Sequence, residues 1–199
     1  MKIFILRHED RTQDCTFFSP LTEKGLNNAQ ILVKALKENN INMIFSSPFI
    51  RTLQTVYPFL KETNKKVNIE YALSEIHHPD IIPSKSVGLV LPEYLAKQYN
   101  YNPDYQTLIK STQIKYPENI KYLENRMKRF IKNIIEKYYK TDLNILIVTH
   151  QSLCNTMIKV VNNFSIEYKN KLNNEIETGY EKGKVCLIYN NDWTYKKIN

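Results

Sequence analysis

Two apolar runs stop abruptly at polar residues and define the framework of the chain. Residues Lys2 to Leu6 are almost wholly apolar and lead directly into Arg7 and His8, and Leu143 to Val148 leads closely into His150. Short runs of branched apolar residues predict buried strands. Side chains at the carboxyl ends of central strands usually lie where ligands bind. Both histidines are therefore predicted at one edge of a sheet.

Apolar residues at helical spacing alternate with these strands, which is typical of an α/β fold. Thr22 is suited to cap the first helix, whose predicted apolar face is Leu26, Ala29, Val33 and Leu36. The predicted helices run from about Thr22 to Asn39, from Pro48 onward, around Glu93 to Tyr99, from Pro117 to Lys140 and from about Ser152 to Asn163. Further strands are predicted at Asn42 to Phe45 and Val67 to Leu73, and as an edge hairpin of Val185 to Tyr189 and Trp193 to Ile198 with its turn at Asn190 to Asp192.

The length of 199 residues predicts one domain, 1–199, with a single hydrophobic core. Residues 76–117 depart from regular periodicity, because prolines and tyrosines interrupt them repeatedly. We expect this stretch to be an insertion that lies over the sheet and shapes access for a substrate.

The formal net charge of +8 is spread along the chain, with its densest part at Lys121 to Lys140 on what is predicted to be the outer face of a helix. This distribution favours solubility over a nucleic-acid partner. No apolar run approaches the roughly 20 residues of a membrane span, and the apolar opening is too short for a signal peptide. A cytoplasmic protein with no membrane partner is expected. A strand at the sheet edge permits a homodimer without arguing for one.

Cysteines and paired histidines do not predict a metal or disulfide site. Cys15, Cys154 and Cys186 are an odd number without a close pair, and are expected to be reduced, small and buried. None has an arginine six positions later, which a cysteine-dependent phosphatase requires. His77 and His78 are adjacent on one segment, so their side chains point apart, and loop residues are expected rather than metal ligands.

Arginine is rare in this lysine-rich chain, with five among 28 basic residues. A guanidinium offers a planar fork of donors that matches a phosphate group, which lysine cannot copy. The exceptions therefore indicate places where geometry matters. The five arginines are Arg7, Arg11, Arg51, Arg126 and Arg129.

The polar residues after the strands form a set of motifs that resembles the histidine phosphatase superfamily, the phosphoglycerate mutase-like proteins. Arg7-His8 resembles the R-H-G hallmark of that family, with Glu9 in place of the glycine. The other matching segments, in the order of the family, are Leu21-Thr22-x-x-Gly25, Ser46-Ser47-Pro48-Phe49-x-Arg51-x-x-Gln54-Thr55, Leu73-x-Glu75 and Val148-Thr149-His150.

The resemblance implies a three-layer α/β/α sandwich with a mostly parallel central sheet and a phosphatase that uses no metal or cofactor. His8 would be the nucleophile that forms a phosphohistidine, and Glu75 would be the proton donor. Arg7, Arg51 and His150 would surround the phosphoryl oxygens. Substrates would be phosphotyrosine proteins or small phosphorylated metabolites.

Arg11 and the segment Ser19-Pro20-Leu21-Thr22 resemble a narrower branch, which includes the Sts-type protein tyrosine phosphatases and ecdysteroid-phosphate phosphatases. In that branch the later arginine also contacts phosphate, so Arg11 is a candidate fourth clamp and Gln151 a further substrate-binding residue. Gln151 stands where the family commonly has a glycine.

Two alternatives remain open on the sequence. One is a 2,3-bisphosphoglycerate-dependent phosphoglycerate mutase, which retains its phosphoryl group. The other is a non-catalytic phosphate-binding or scaffold module, in which Glu9 places a negative charge beside the anion site unless its side chain turns away.

Overall fold

The molecule is built on a six-stranded sheet between helices, in a computed structural model that describes residues 1–164, 180–189 and 196–197. The strands are β1 (Lys2–Arg7), β2 (Met43–Ser46), β3 (Val67–Ile69), β4 (Asn144–Thr149), β5 (Val185–Tyr189) and β6 (Lys196–Lys197). Their order in the sheet is β3-β2-β4-β1-β5-β6. The pairs among β3, β2, β4 and β1 are parallel, whereas β1 with β5 and β5 with β6 are antiparallel pairs. The predicted sandwich with a mostly parallel sheet is confirmed.

The helices cover both faces of the sheet. Alternate residues of β1 and β4 point into two separate apolar cores, as in a strand buried on both faces. The helices are α1 (Glu23–Glu38), α2 (Ile50–Thr63), α3 (Glu93–Gln98), α4 (Ile120–Tyr138) and α5 (Gln151–Phe164). Helices α1 and α2 pack in one core, and α4 and α5 in the other.

Local side chains set the helix starts. Thr22 caps α1 as predicted, because its hydroxyl accepts a hydrogen bond from the amide of Gly25 at 3.1 Å. Asn119 caps α4 through the amide of Tyr122, so this helix begins three residues later than predicted. On α1, Leu26 is exposed and Leu32 is buried, which corrects the predicted apolar face.

The third strand is shorter than predicted. It ends at Ile69, and Tyr71–Leu73 form a 3-10 turn. The cause is Glu70, whose buried carboxylate accepts from the amides of Ala72 at 2.7 Å and Leu108 at 2.9 Å. These bonds turn the chain out of the sheet and tie it to the segment predicted to be an insertion.

The hairpin prediction is confirmed where it can be compared. β5 and β6 pair antiparallel and β6 is the last strand in the sheet, whereas the predicted turn at Asn190 to Asp192 lies outside the described residues. Cys154 and Cys186 are buried as expected, but Cys15 is half-exposed. It lies in a loop, where its backbone has a positive φ. Every helix in the described part of the chain is too short or too polar to traverse a lipid bilayer.

Candidate active site

The parallel pairing of β1 with β4 brings the two predicted histidines together. Arg7 is in register with Thr149, and the amide of His8 donates to the carbonyl of Thr149 at 2.9 Å. The rings of His8 and His150 follow these residues, with centroids 5.3 Å apart and both side chains buried. Adjacent parallel strands therefore place two imidazoles at the carboxyl edge of the sheet.

The neutral form and the tautomer of His8 follow from its surroundings. Its Nδ1 lies 2.7 Å from the carbonyl oxygen of Glu9. A carbonyl can only accept, so Nδ1 carries the hydrogen and Nε2 keeps its lone pair in the neutral ring. Burial, reinforced by the charge of Arg51, lowers the pKa of His8 well below its usual value. His8 is therefore a neutral base with a free Nε2 at neutral pH.

His150 lies deeper than His8 and is held by one hydroxyl. Its Nε2 is 2.8 Å from Oγ of Ser47, while its Nδ1 is buried without a hydrogen-bond partner and lies 3.4 Å from Oε2 of Glu75. Burial, followed by the charge of Arg51, lowers the pKa of His150 well below its usual value. Ser47 thus holds a neutral imidazole beside that of His8.

Glu75 is the buried acid of the site. Its Oε1 accepts from the amide of Ile76 at 3.0 Å, and its Oε2 lies 4.0 Å from Nη2 of Arg51. Burial raises the pKa of Glu75 above its usual value, although the charge of Arg51 opposes the shift. A carboxyl group with a raised pKa keeps its proton to higher pH than usual, which suits it to donate one.

Arg51 is almost fully buried and is fixed on two sides. Its Nη1 donates to the carbonyl of Thr16 at 2.8 Å, and its guanidinium lies over the ring of Phe49 at 4.5 Å. Burial lowers the pKa of Arg51 to about 10, so it stays charged at neutral pH. A fixed positive charge therefore lies beside both Glu75 and the histidine pair.

Arg7, Arg11 and Gln151 lie at a cavity of about 450 Å³ that opens over His8 and Glu75. Nη1 of Arg7 donates to the carbonyl of Tyr180 at 2.5 Å, and Nη1 of Arg11 donates to the carbonyl of Thr12 at 2.6 Å. The remaining residues that line the cavity are Asp10, Thr12, Gln13, Thr22, Ile81, Ser152 and Lys182. The structure thus brings together all seven residues predicted for the site, with Arg51 and His150 beneath Glu75.

Several buried nitrogens of this site have no hydrogen-bond partner among the described residues. Four buried side-chain nitrogens in the described residues lack a hydrogen bond, and three belong to the site: Nε of Arg7, Nε of Arg51 and Nδ1 of His150. A buried polar group without a partner costs about 1–3 kcal/mol, so such groups call for an explanation. Donors gathered beside two guanidinium groups suit an anion with several oxygen atoms.

The same residues could in principle ligate a metal ion. Ligand atoms of His8, Glu75 and His150 lie within 4.8 Å of one another. However, the guanidinium groups of Arg7 and Arg51 border this space, and their positive charges disfavour a cation and favour an anion. His77 and His78 lie in a loop as predicted, outside this cluster.

Glu9, which replaces the hallmark glycine, turns away from the cavity. Its carboxylate is buried, accepts from the amide group of Asn28 at 3.1 Å and packs against Gly183. Its backbone amide donates to the hydroxyl of Thr55 at 3.0 Å. A Cβ on Gly183 would lie 1.8 Å from Oε1 of Glu9, so glycine at position 183 makes the space that this side chain occupies.

Sequence reasoning missed the residues that support the site from behind. Thr149 donates its hydroxyl to the carbonyl of Leu73 at 2.8 Å, close to Glu75. Arg126 was expected on an outer helix face, but its side chain is 7% exposed and reaches the segment that carries Glu75. The rarity of arginine was a signal that could have found it.

Comparison with known proteins agrees with the geometry. Residues 8–193 match the family model of the histidine phosphatase superfamily, branch 1. Phosphoserine phosphatase 1 of Hydrogenobacter thermophilus is 23% identical over 133 residues, which are 65% of this chain and 58% of that protein. The match thus spans less than two thirds of the curated relative.

Two solved structures share the fold at low sequence identity. Ecdysone phosphate phosphatase from Bombyx mori has a TM-score of 0.74 at 14% identity, with 98% of this chain and 91% of that chain covered. A mycobacterial glucosyl-3-phosphoglycerate phosphatase has a TM-score of 0.66 at 14% identity, with coverages of 98% and 96%. With the family model matched over most of its length, the chain belongs to the histidine phosphatase superfamily, branch 1.

Proposed function

We propose that this protein is a metal-independent phosphomonoesterase that forms a phosphohistidine on His8. The observation that carries the proposal is the hydrogen bond from Nδ1 of His8 to the carbonyl of Glu9, which leaves Nε2 unprotonated. A neutral imidazole, an adjacent acid with a raised pKa and a set of fixed guanidinium groups are the groups that this reaction requires. The relatives are named as phosphatases, which supports the same reaction class.

The reaction has two steps. In the first, the lone pair of Nε2 on His8 attacks phosphorus, the ester P–O bond breaks, and Glu75 gives its proton to the leaving oxygen. In the second, Glu75 takes a proton from water, whose oxygen attacks phosphorus, and the P–N bond breaks. Phosphate leaves, and both residues return to their starting protonation states.

Positive charge would hold the phosphoryl group during both steps. We assign this role to Arg7, Arg11 and Arg51, with Nδ1 of His150 and the side chain of Gln151 as further contacts. The unpartnered nitrogens on three of these residues support the assignment, because phosphoryl oxygens would accept from Nε of both guanidinium groups. They would also accept from Nδ1 of His150 in the tautomer in which the hydroxyl of Ser47 donates to Nε2. Their charges would also stabilise the transition state, in which negative charge is spread over those oxygens.

A small, polar, phosphorylated metabolite is the favoured substrate class. The cavity is lined by charged and hydroxyl or amide side chains, and Ile81 is the one apolar residue among the lining residues described. An aromatic phosphotyrosine side chain would meet a single apolar side chain there. The named substrates of the relatives, phosphoserine, ecdysone phosphate and glucosyl-3-phosphoglycerate, are also small molecules.

Two residues at the cavity, Arg11 and Ile81, support finer assignments. We place the chain near the branch of Sts-type and ecdysteroid-phosphate phosphatases, because Arg11 lies at the cavity. We also propose that residues 76–117, within one domain, shape substrate access, because Ile81 comes from this segment.

The orientation of Glu9 removes the main reason to expect a non-catalytic module, since its carboxylate is directed at Asn28 and Gly183. A phosphoglycerate mutase would have to protect its phosphoenzyme from water, because it retains the phosphoryl group. Release of phosphate from p-nitrophenyl phosphate without mutase activity separates the two enzymes.

His8→Ala is expected to abolish phosphate release from p-nitrophenyl phosphate, because it removes the nucleophile. The matched control is His78→Ala, which replaces a half-exposed histidine whose ring contacts Asp80 and does not line the cavity; it is expected to keep wild-type kcat. Phosphate release measured with purified proteins checks both. Full activity in His8→Ala would refute the mechanism.

The pH profile of kcat/KM is expected to be bell-shaped. As pH falls, protonation of His8 removes the lone pair, and its lowered pKa puts this limb below the usual histidine range. As pH rises, Glu75 loses the proton it must donate, and its raised pKa puts that limb above the usual glutamate range. Glu75→Gln should remove the alkaline limb. Comparison with wild type on the same substrate cancels the ionisation of the substrate itself, and an unchanged alkaline limb would contradict the role of Glu75.

Gly183→Ala is expected to destabilise the protein more than Gly88→Ala does. Both glycines have positive φ, but a Cβ at Gly88 meets nothing within 4 Å, whereas a Cβ at Gly183 meets Glu9. The difference in the free energy of unfolding, measured in urea, should be about 1–3 kcal/mol. Adding Glu9→Gly to Gly183→Ala should recover most of that difference. Equal losses in the two alanine variants would show that the carboxylate lies elsewhere.

A further inference from the structure

The backbone that leads into Glu75 is held by one arginine from helix α4. Nη1 of Arg126 donates to two carbonyl oxygens, that of Ala72 at 2.9 Å and that of Ser74 at 2.8 Å. Ser74 immediately precedes Glu75, so the guanidinium fixes the peptide from which the acid projects. Arg126 is not among the residues that line the cavity over His8 and Glu75.

Glu118 completes this contact on the other side of Glu75. Its carboxylate binds Arg126 in a fork, with Nε to Oε1 at 2.9 Å and Nη2 to Oε2 at 2.6 Å. The same Oε2 accepts from the amide of His77 at 3.2 Å, and the amide of Glu118 donates to the carbonyl of His77 at 2.7 Å. Arg126 and Glu118, called the clasp below, thus grip the chain before and after Glu75.

The clasp is buried, although it lies outside the cavity. The side chains of Arg126 and Glu118 are 7% and 3% exposed. A buried ion pair is weak evidence for stability, because removing two charges from water offsets much of their attraction. Its geometry is more telling, since three nitrogens of one planar group make four hydrogen bonds at once. Lysine cannot copy this arrangement, which accounts for a rare arginine at this position.

We propose that Arg126 and Glu118 are positioning residues that hold the carboxyl group of Glu75 where it can protonate the leaving oxygen. This role rests on the proposed phosphatase function. The hydrogen bonds of the clasp to the site run through residues 72–77, next to the acid and away from His8 and the phosphate-binding arginines. The charge of Arg126 also opposes the rise in the pKa of Glu75 and helps to lower that of His150, an effect that Arg126→Lys keeps. Loss of the clasp should therefore impair proton donation selectively.

Selective loss of proton donation has a measurable signature. An alkyl phosphate has a poor leaving group that needs a proton, whereas p-nitrophenolate is a good leaving group that departs with little help. The ratio of kcat/KM for the two substrates, which reports the first chemical step, thus measures how well Glu75 donates its proton. Because both values come from one preparation, the ratio does not depend on the fraction of protein that is folded.

The test compares Arg126→Met, Arg126→Lys and Glu118→Gln with wild type on p-nitrophenyl phosphate and glycerol 2-phosphate. In Arg126→Met, we expect kcat/KM for glycerol 2-phosphate to fall ~10–100-fold more than kcat/KM for p-nitrophenyl phosphate. This loss is smaller than the whole rate effect of a general acid, because Glu75 is displaced and not removed. Arg126→Lys keeps the charge without the fork and should lose less than Arg126→Met. Arg129→Met, an exposed arginine on the same helix, is the matched control and should keep the wild-type ratio.

Combining Arg126→Met with Glu75→Gln separates an effect on the proton donor from a general loss of local structure. In Glu75→Gln, where no proton can be donated, adding Arg126→Met should change the ratio no further. Equal losses on both substrates in Arg126→Met, or an undiminished selective loss in the Glu75→Gln background, would overturn the positioning role while the phosphatase stands. A wild type that hydrolyses neither ester would overturn the proposed function and the positioning role with it.

Discussion

The chemistry of the site depends on one hydrogen bond, from Nδ1 of His8 to the carbonyl of Glu9. It fixes the tautomer, so that the unshared electron pair is on Nε2. The contact uses the backbone carbonyl of Glu9 and not its side chain, whose carboxylate accepts a hydrogen bond from Asn28 instead. A glutamate there is tolerated because Gly183 makes room for the carboxylate.

The sheet makes this hydrogen bond useful. Parallel pairing of β1 and β4 sets His8 and His150 side by side, and the fully buried Arg51 places positive charge beside them. Burial and that charge lower the pKa of both histidines, while burial raises the pKa of Glu75. The two shifts are opposite in direction: the lowered pKa keeps the imidazole of His8 neutral, and the raised pKa favours the protonated carboxyl group of Glu75, which suits the proposed roles of nucleophile and acid. Three buried nitrogens of the site lack a hydrogen-bond partner in the part of the chain that the structure describes, a cost that an anionic ligand would offset.

The sequence predicts much of the sheet and the position of the site, because apolar runs that end in polar residues indicate both the strands and the edge where the site lies. All seven predicted site residues do lie together. The third strand was overestimated, since nothing local shows that Glu70 is buried and turns the chain. The direction of Glu9 could not be predicted either, because it depends on Gly183, 174 positions away. Arg126 was misplaced on a solvated face because helical charge patterns do not reveal which carbonyls lie within reach.

The most direct test of this account is the chemical identity of the phosphoenzyme. Wild-type protein would be mixed with p-nitrophenyl phosphate, quenched rapidly at alkaline pH and digested, and the phosphorylated peptide would be examined by mass spectrometry and ³¹P NMR. The account predicts an acid-labile adduct on Nε2 of His8, because Nδ1 is engaged by the carbonyl of Glu9. An adduct on Nδ1, or an acid-stable adduct on a serine or cysteine, would contradict it.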